Sequence, residues 1–206
     1  MIDFFIKIFV FLHNFSYKAI SMLVVKKNGG LHPKHRILNY HDFFLTNIQL
    51  DDSVLDIGCG NGAVAYDLAK KSRKITAIDI SKENIEIARK KFSQKNLEYI
   101  IGDATNYDFK SAFDVIILSN VLEHIKNRVD FLSKIKKLAP KILIRVPLLT
   151  RDWLSVYKKE NGFEYRLDPT HYTEYTEEDF MEEIKRSGLS IEKYYVKFGE
   201  IYAIIR

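Results

Sequence analysis

A short apolar run that breaks into alternating glycines constrains this chain more than any other stretch. Val54-Leu55-Asp56-Ile57-Gly58-Cys59-Gly60-Asn61-Gly62 starts as a buried parallel strand would, and its glycines mark a sharp turn into a helix. Glycine has no Cβ and tolerates positive φ, so backbone amides can close around a ligand there. Such a turn lies at the carboxyl end of its strand, where open α/β sheets bind their ligands. Gly58, Gly60 and Ala63 satisfy G-x-G-x-x-G/A, and Asp79 follows about 20 residues on, as a dinucleotide site requires. Asp56 argues the other way. A carboxylate at the mouth of the turn repels a pyrophosphate and suits a ligand bearing an ammonium group.

Downstream the chain alternates. Residues 63–71 read as a helix and 73–79 as a second strand; Ser81 is a good N-cap for a helix running through Gln94. Strands are expected at 97–101, 113–119 and 141–146, the last stopped by Pro147, with a helix at 128–138 between the latter two. Thr176 with Asp179 three residues on forms a capping-box pattern, so a helix should start there, run to Arg186 and stop at Gly188. Residues 190–198 and 201–206 read as two more strands joined through Gly199-Glu200. This alternation predicts an α/β, Rossmann-like doubly wound sheet of seven strands. Its domain spans 51–206, behind a helical amino-terminal extension of residues 1–50.

Asp56-x-Gly58-x-Gly60 resembles the first motif of class I S-adenosylmethionine-dependent methyltransferases of the small-molecule type. That cofactor has a ribose, a sulfonium and an ammonium group, and no phosphate. Three further segments agree. Asp79 ends the second strand, where an ionised carboxylate offers two acceptor oxygens to the ribose hydroxyls, with Ile80 beside it. Gly102-Asp103-Ala104 closes the third strand, and in the family an acid there resembles the acceptor from the adenine amino group; alone it also reads as an ordinary turn. Ser119-Asn120-Val121-Leu122-Glu123-His124 resembles the family's fourth motif, where the chain leaves the strand beside the transferable methyl. The resemblance therefore implies a cofactor set of Asp56, Gly58, Cys59, Gly60, Asp79, Ile80, Gly102, Asp103, Ala104, Ser119 and Asn120, and an antiparallel last strand.

His124 is the candidate base, because imidazole titrates near neutral pH and the family places this loop at the methyl; a capping or packing histidine is the alternative. Glu123-His124 is also similar to the metal-dependent ubiquinone-type O-methyltransferases, whose earlier acid is Asn120 here, so no metal is expected. Residues 148–175 read as a substrate lid rich in basic and aromatic side chains. Similar bacterial methyltransferases carry a His-aromatic segment near the acceptor site, which makes His171 a second catalytic candidate and Tyr172 a substrate contact, against turn packing. Trp153 and Tyr40 are further substrate candidates. Tyr40 lies on a helix expected at 35–48, and in similar enzymes such a helix often covers the cofactor.

Residues 2–25 are crowded with Phe, Ile, Leu and Val, and Asp3, Lys7, Asn14, Lys18 and Ser21 line one side. The longest stretch without a charge, Ile8 to Tyr17, is shorter than the roughly 20 residues of a membrane span. Asp3 sits where a signal peptide would be basic. A cap on the core, a helix lying in a membrane interface, and a dimer contact stay open. Net charge of +5 permits an anionic partner, but the basic residues are scattered, so no nucleic-acid surface is expected. Cys59 is the one cysteine, which leaves no intrachain disulfide and points to the cytoplasm, with membrane association through residues 2–25 as an added expectation.

The whole reads as an enzyme that O-methylates a small-molecule or lipid-linked acceptor, for instance a sugar of a surface glycan. The alternatives are a non-catalytic subunit that keeps the cofactor fold, and a nicotinamide-dependent oxidoreductase, which Asp56 disfavours.

Overall fold

The computed structural model describes residues 1–206. Seven strands form one sheet in the order β3-β2-β1-β4-β5-β7-β6. They are β1 (Ser53–Ile57), β2 (Lys74–Asp79), β3 (Leu97–Ile101), β4 (Val115–Ser119), β5 (Lys141–Pro147), β6 (Ile191–Lys197) and β7 (Glu200–Ile205). β1 pairs in parallel with β2 and β4, and chain order reverses on either side of it. β7 enters antiparallel between β5 and β6, as expected. The central strands are apolar on both faces, since helices cover both; Val54, Leu55, Ile116, Ile117 and Leu118 are completely buried.

The chain divides into two compact units. The larger comprises His41–Asp152 and Arg166–Arg206 and contains the sheet. Its helices are α4 (Ala63–Ala69), α5 (Lys82–Lys91), α6 (Arg128–Ile135) and α8 (Glu177–Arg186). Both sequence-predicted caps form. Ser81 Oγ accepts from the Asn84 amide at 3.2 Å, and Thr176 Oγ1 accepts from the Asp179 amide at 3.1 Å while Asp179 reaches back to the Thr176 amide. Thr176→Ala should lower unfolding free energy by about 1 kcal/mol in urea denaturation, with Thr176→Ser close to wild type.

The smaller unit comprises Met1–Tyr40 and Trp153–Tyr165. It holds α1 (Ile2–Lys27), α2 (Lys34–Leu38) and α7 (Trp153–Glu160). Asn14 joins the pieces: its amide donates to the Glu164 carbonyl at 3.0 Å, and its Oδ1 accepts from Lys158 Nζ at 2.7 Å.

Two expectations change. The single helix at 35–48 is broken at Asn39, which adopts a left-handed φ of 48°, so α2 stops and α3 (Tyr40–Thr46) begins. Asparagine tolerates that region better than most side chains. Beyond the break, Phe43 and Phe44 enter the core of the larger unit, and Phe43 meets Tyr202 of β7 edge-on at 5.4 Å. The division thus falls at Tyr40 rather than near residue 50. Likewise the segment 148–175 is not one loop: its middle is α7, grouped with α1.

Candidate active site

The carboxyl ends of the parallel strands open into a cavity of about 670 Å³. β1 contributes Ile57 and Gly58, β2 Asp79 and Ile80, the β3 turn Gly102, Asp103 and Ala104, and the β4 exit Asn120, Val121 and His124. Tyr172 reaches the same wall from the segment before α8. Sequence-distant groups are brought together because parallel strands all end on one side.

The glycine turn is needed for close approach. Gly58 has φ of 67°, and a Cβ there would lie 2.6 Å from Val121 Cγ2, so the β4 exit packs directly on the β1 turn. Gly60 (φ 54°) aims its amide at Asp79 Oδ2 at 2.8 Å, while the Ser81 amide holds Asp79 Oδ1 at 2.8 Å. Both carboxylate oxygens are thereby oriented; Oδ1 also accepts from Asn84 Nδ2 at 3.5 Å, and Oδ2 keeps a second lone pair to offer the cavity. Asp103 accepts from the Thr105 side chain and amide and from Asn106, bonds that hold its carboxyl below the usual range. Asn120 turns the chain at a left-handed φ of 57° and is fixed by Arg145, whose Nε donates to Asn120 Oδ1 at 2.9 Å.

Not every predicted cofactor residue lines this wall. Asp56, Cys59, Gly60 and Ser119 are not among the residues that line it, and Tyr40 and Trp153 belong to the other unit. His41, on α3, pairs with Asp67 of α4 at 2.7 Å.

Asp56 is 1 % exposed and its Oδ2 has no hydrogen-bond partner. Burial, with Asp79 nearby, pushes its carboxyl up to about 8. The unfolded chain releases that proton near the ordinary value of 3.8, so the folded state binds more protons between roughly pH 4 and 8. Asp56 therefore favours folding at the acid end of that window and loses the contribution as pH rises. Without added cofactor, the melting temperature should fall between pH 5 and 8, and Asp56→Asn should flatten the fall in a thermal-shift series.

The second constellation stands at the cavity edge. His124 follows β4 on a 3-10 turn, Leu122–His124, and its Nδ1 lies 2.9 Å from Thr170 Oγ1. Thr170 Oγ1 donates its own proton to Asp168 Oδ1 at 2.7 Å, so it must accept from His124. The proton of neutral His124 therefore sits on Nδ1, and Nε2 carries the ring's lone pair. Partial burial, then the neighbouring His171, lowers the His124 pKa, so the ring is neutral at physiological pH.

His171 stands behind it, 5 % exposed, with its ring edge-on to His124 at 4.5 Å. Its Nδ1 meets Glu174 Oε1 at 2.9 Å, and Glu174 is held in turn by Arg151 at 2.8 Å and the Leu167 amide at 2.7 Å. The Tyr172 amide donates to the Glu123 carbonyl at 2.7 Å, tying the two segments together. Asp168, Thr170 and Glu174 were missed in the sequence. Their signal was Asp-x-Thr-His followed by an acid three residues on.

Glu123 is fully buried, neither carboxyl oxygen has a hydrogen-bond partner, and burial pushes its pKa up to about 8. Glu123, His124 and His171 each bring a ligand atom within 4.8 Å of the others, so these are the residues that could hold a metal ion. His171 supplies the third donor that the sequence motif lacks.

Residues 55–141 match the methyltransferase domain family. The chain carries a class I, S-adenosylmethionine-dependent methyltransferase domain. Among relatives, the mitochondrial ubiquinone biosynthesis O-methyltransferase of Schizosaccharomyces pombe is 34 % identical over 108 residues, covering 50 % of this chain and 39 % of that protein. The ubiquinone biosynthesis O-methyltransferase of Rickettsia bellii is 30 % identical over 145 residues, covering 66 % of this chain and 60 % of that one. The chain thus spans less than two thirds of these curated relatives' own length. The fold is shared with an S-adenosylmethionine-dependent methyltransferase from Clostridium acetobutylicum (TM-score 0.65, 16 % identity, 93 % and 98 % of the two chains). It is shared also with magnesium protoporphyrin IX methyltransferase from Synechocystis PCC 6803 with bound SAH (TM-score 0.61, 18 % identity, 94 % and 82 %).

The methyltransferase domain's cavity fits its cofactor chemically. Asp79 presents oriented acceptors for a diol, Asp103 is an exposed acceptor at the next strand end, and the cavity volume lies in the range of small-molecule sites.

Proposed function

We propose that the chain is a working S-adenosylmethionine-dependent O-methyltransferase of the cytoplasm, acting on a hydroxyl of a small, membrane-associated acceptor. The observation that carries the reading is the His124 relay: Asp168 and Thr170 fix the tautomer that keeps Nε2 basic at the cavity edge. S-adenosylmethionine, when bound, would supply an electrophilic methyl open to in-line attack by a hydroxyl oxygen, with the S–CH₃ bond breaking and S-adenosylhomocysteine leaving as the thioether. Asp79 and Asp103 would hold its nucleoside end, and His124 Nε2 would accept the acceptor's hydroxyl proton. His171, anchored by Glu174 and Arg151, keeps the His124 ring from turning away. Tyr172 covers the same end and helps exclude water.

The similarity to ubiquinone biosynthesis O-methyltransferases supports an oxygen acceptor, and a sugar of a surface glycan belongs in the same screen. A non-catalytic scaffold would need neither the oriented Asp79 nor the relay.

The test is titration calorimetry with S-adenosylmethionine and NAD, then transfer of labelled methyl to a panel of quinol precursors and glycan sugars, with and without chelator. Micromolar binding of the first ligand alone, and label in a hydroxylated acceptor, is the expected result. Binding of NAD alone overturns it. Turnover lost to chelator and restored by a divalent cation would assign Glu123, His124 and His171 to a metal instead.

A further inference from the structure

α1 is apolar on the side that faces out. Phe4, Phe9, Phe11, Phe15, Met22 and Leu23 are each between 63 % and 69 % exposed. At about 100° per residue they fall within an arc of about 160°, and no charged residue before Lys26 shares it. Asp3, Lys7, Asn14, Lys18 and Ser21 fall within about 60° on the other side. That polar side is partly occupied by protein. Asn14 bonds Lys158 and the Glu164 carbonyl, His13 Nδ1 lies 3.1 Å from Lys158 Nζ, Ser21 meets His32 at 3.2 Å, and Val10 is buried. A helix in water presents the opposite arrangement, with its apolar stripe against protein.

We propose that α1 is an in-plane membrane anchor, its apolar face sunk in the headgroup–acyl boundary of an anionic bilayer and α7 held on its aqueous side. By length and composition α1 could cross a membrane, which revises the expectation drawn from its uncharged stretch alone. α7 decides against a span. It is bound at Asn14, the midpoint of α1, so a crossing α1 would carry Lys158, Lys159 and Glu160 to the bilayer centre, where charge is costly. Lying flat, the 26 residues extend about 39 Å along the surface at 1.5 Å each, with α7 in water. Lys26 and Lys27 close the helix at headgroup level, where anionic lipid attracts them.

Flotation of the full chain with phosphatidylcholine vesicles, with and without phosphatidylglycerol, tests this. The wild type should float, more strongly with the anionic lipid. The Phe9→Glu/Phe15→Glu variant should partition at least about tenfold less, and Lys26→Gln/Lys27→Gln should lose only the anionic preference. S-adenosylmethionine binding by calorimetry should be equal in all three, which separates lipid binding from the methyltransferase reading. Equal partitioning of wild type and the Phe9/Phe15 variant overturns the proposal. So does a wild-type dimer in sedimentation velocity that the variant dissolves without any lipid binding, since the occupant is then a second copy. Carbonate-resistant wild type with α1 protected from protease along its whole length would mean a span, and also overturns it.

Discussion

Replacing His124 with alanine should lower turnover by roughly 100- to 10,000-fold, the usual contribution of a positioned acid–base group, and leave S-adenosylmethionine affinity nearly unchanged. The separation follows from the geometry. Asp79 and the glycine turn stand at the β1 and β2 ends, while His124 leaves β4 on its own 3-10 turn. Thr170→Val should give a smaller loss, roughly tenfold: the ring stays but its Nδ1 proton loses the acceptor that selects the tautomer. Glu174→Gln should act through His171 and fall between the two, since it keeps the shape and removes the charge behind the second ring. Single-turnover rates with saturating cofactor, read beside calorimetric affinities, make the comparison. Full turnover in His124→Ala would remove the base from the proposal.

The fold was legible because its signals are local. Alternating apolar runs, Ser81, Thr176 and the glycines at 58, 60 and 62 each announce an element or its end, and right-handed crossovers restrict the order of the parallel strands. The cavity wall was legible for the same reason, since Asp79, Asp103 and Asn120, which line it, each sit at the end of a readable strand. What escaped was set by tertiary contact. Asn39 breaks a continuous apolar pattern through one left-handed residue, and nothing in the periodicity marks it. Asp56 looked like a group at the mouth because it follows the apolar run, yet the strand buries it behind the turn. The His124 relay draws on Asp168 and Thr170, more than 40 residues away, and Glu174 matters only because His171 does. α1 read as ambiguous for a related reason: its pattern is amphipathic either way, and only Lys158 and Glu164 reveal which side faces protein.

Replacing Asp79 with alanine should weaken S-adenosylmethionine binding by at least about 150-fold while the protein stays folded. Two ribose hydroxyls lose a charged acceptor, at about 1.5 kcal/mol each as the lower figure, and about 1.4 kcal/mol is tenfold in affinity. The loss should exceed that floor, because Asp79 also holds the Gly60 and Ser81 amides at 2.8 Å, so the turn itself loosens. Asp79→Asn separates the two effects. Its single carbonyl oxygen can keep one of the amides but presents an NH₂ to the other, so its affinity should lie between wild type and Asp79→Ala. Circular dichroism and the melting temperature report folding independently. A melting temperature within a few degrees of wild type, together with an unchanged dissociation constant in Asp79→Ala, would mean that the ribose is held elsewhere. The cavity would then have to bind its cofactor from the β3 and β4 ends, through Asp103 and Asn120.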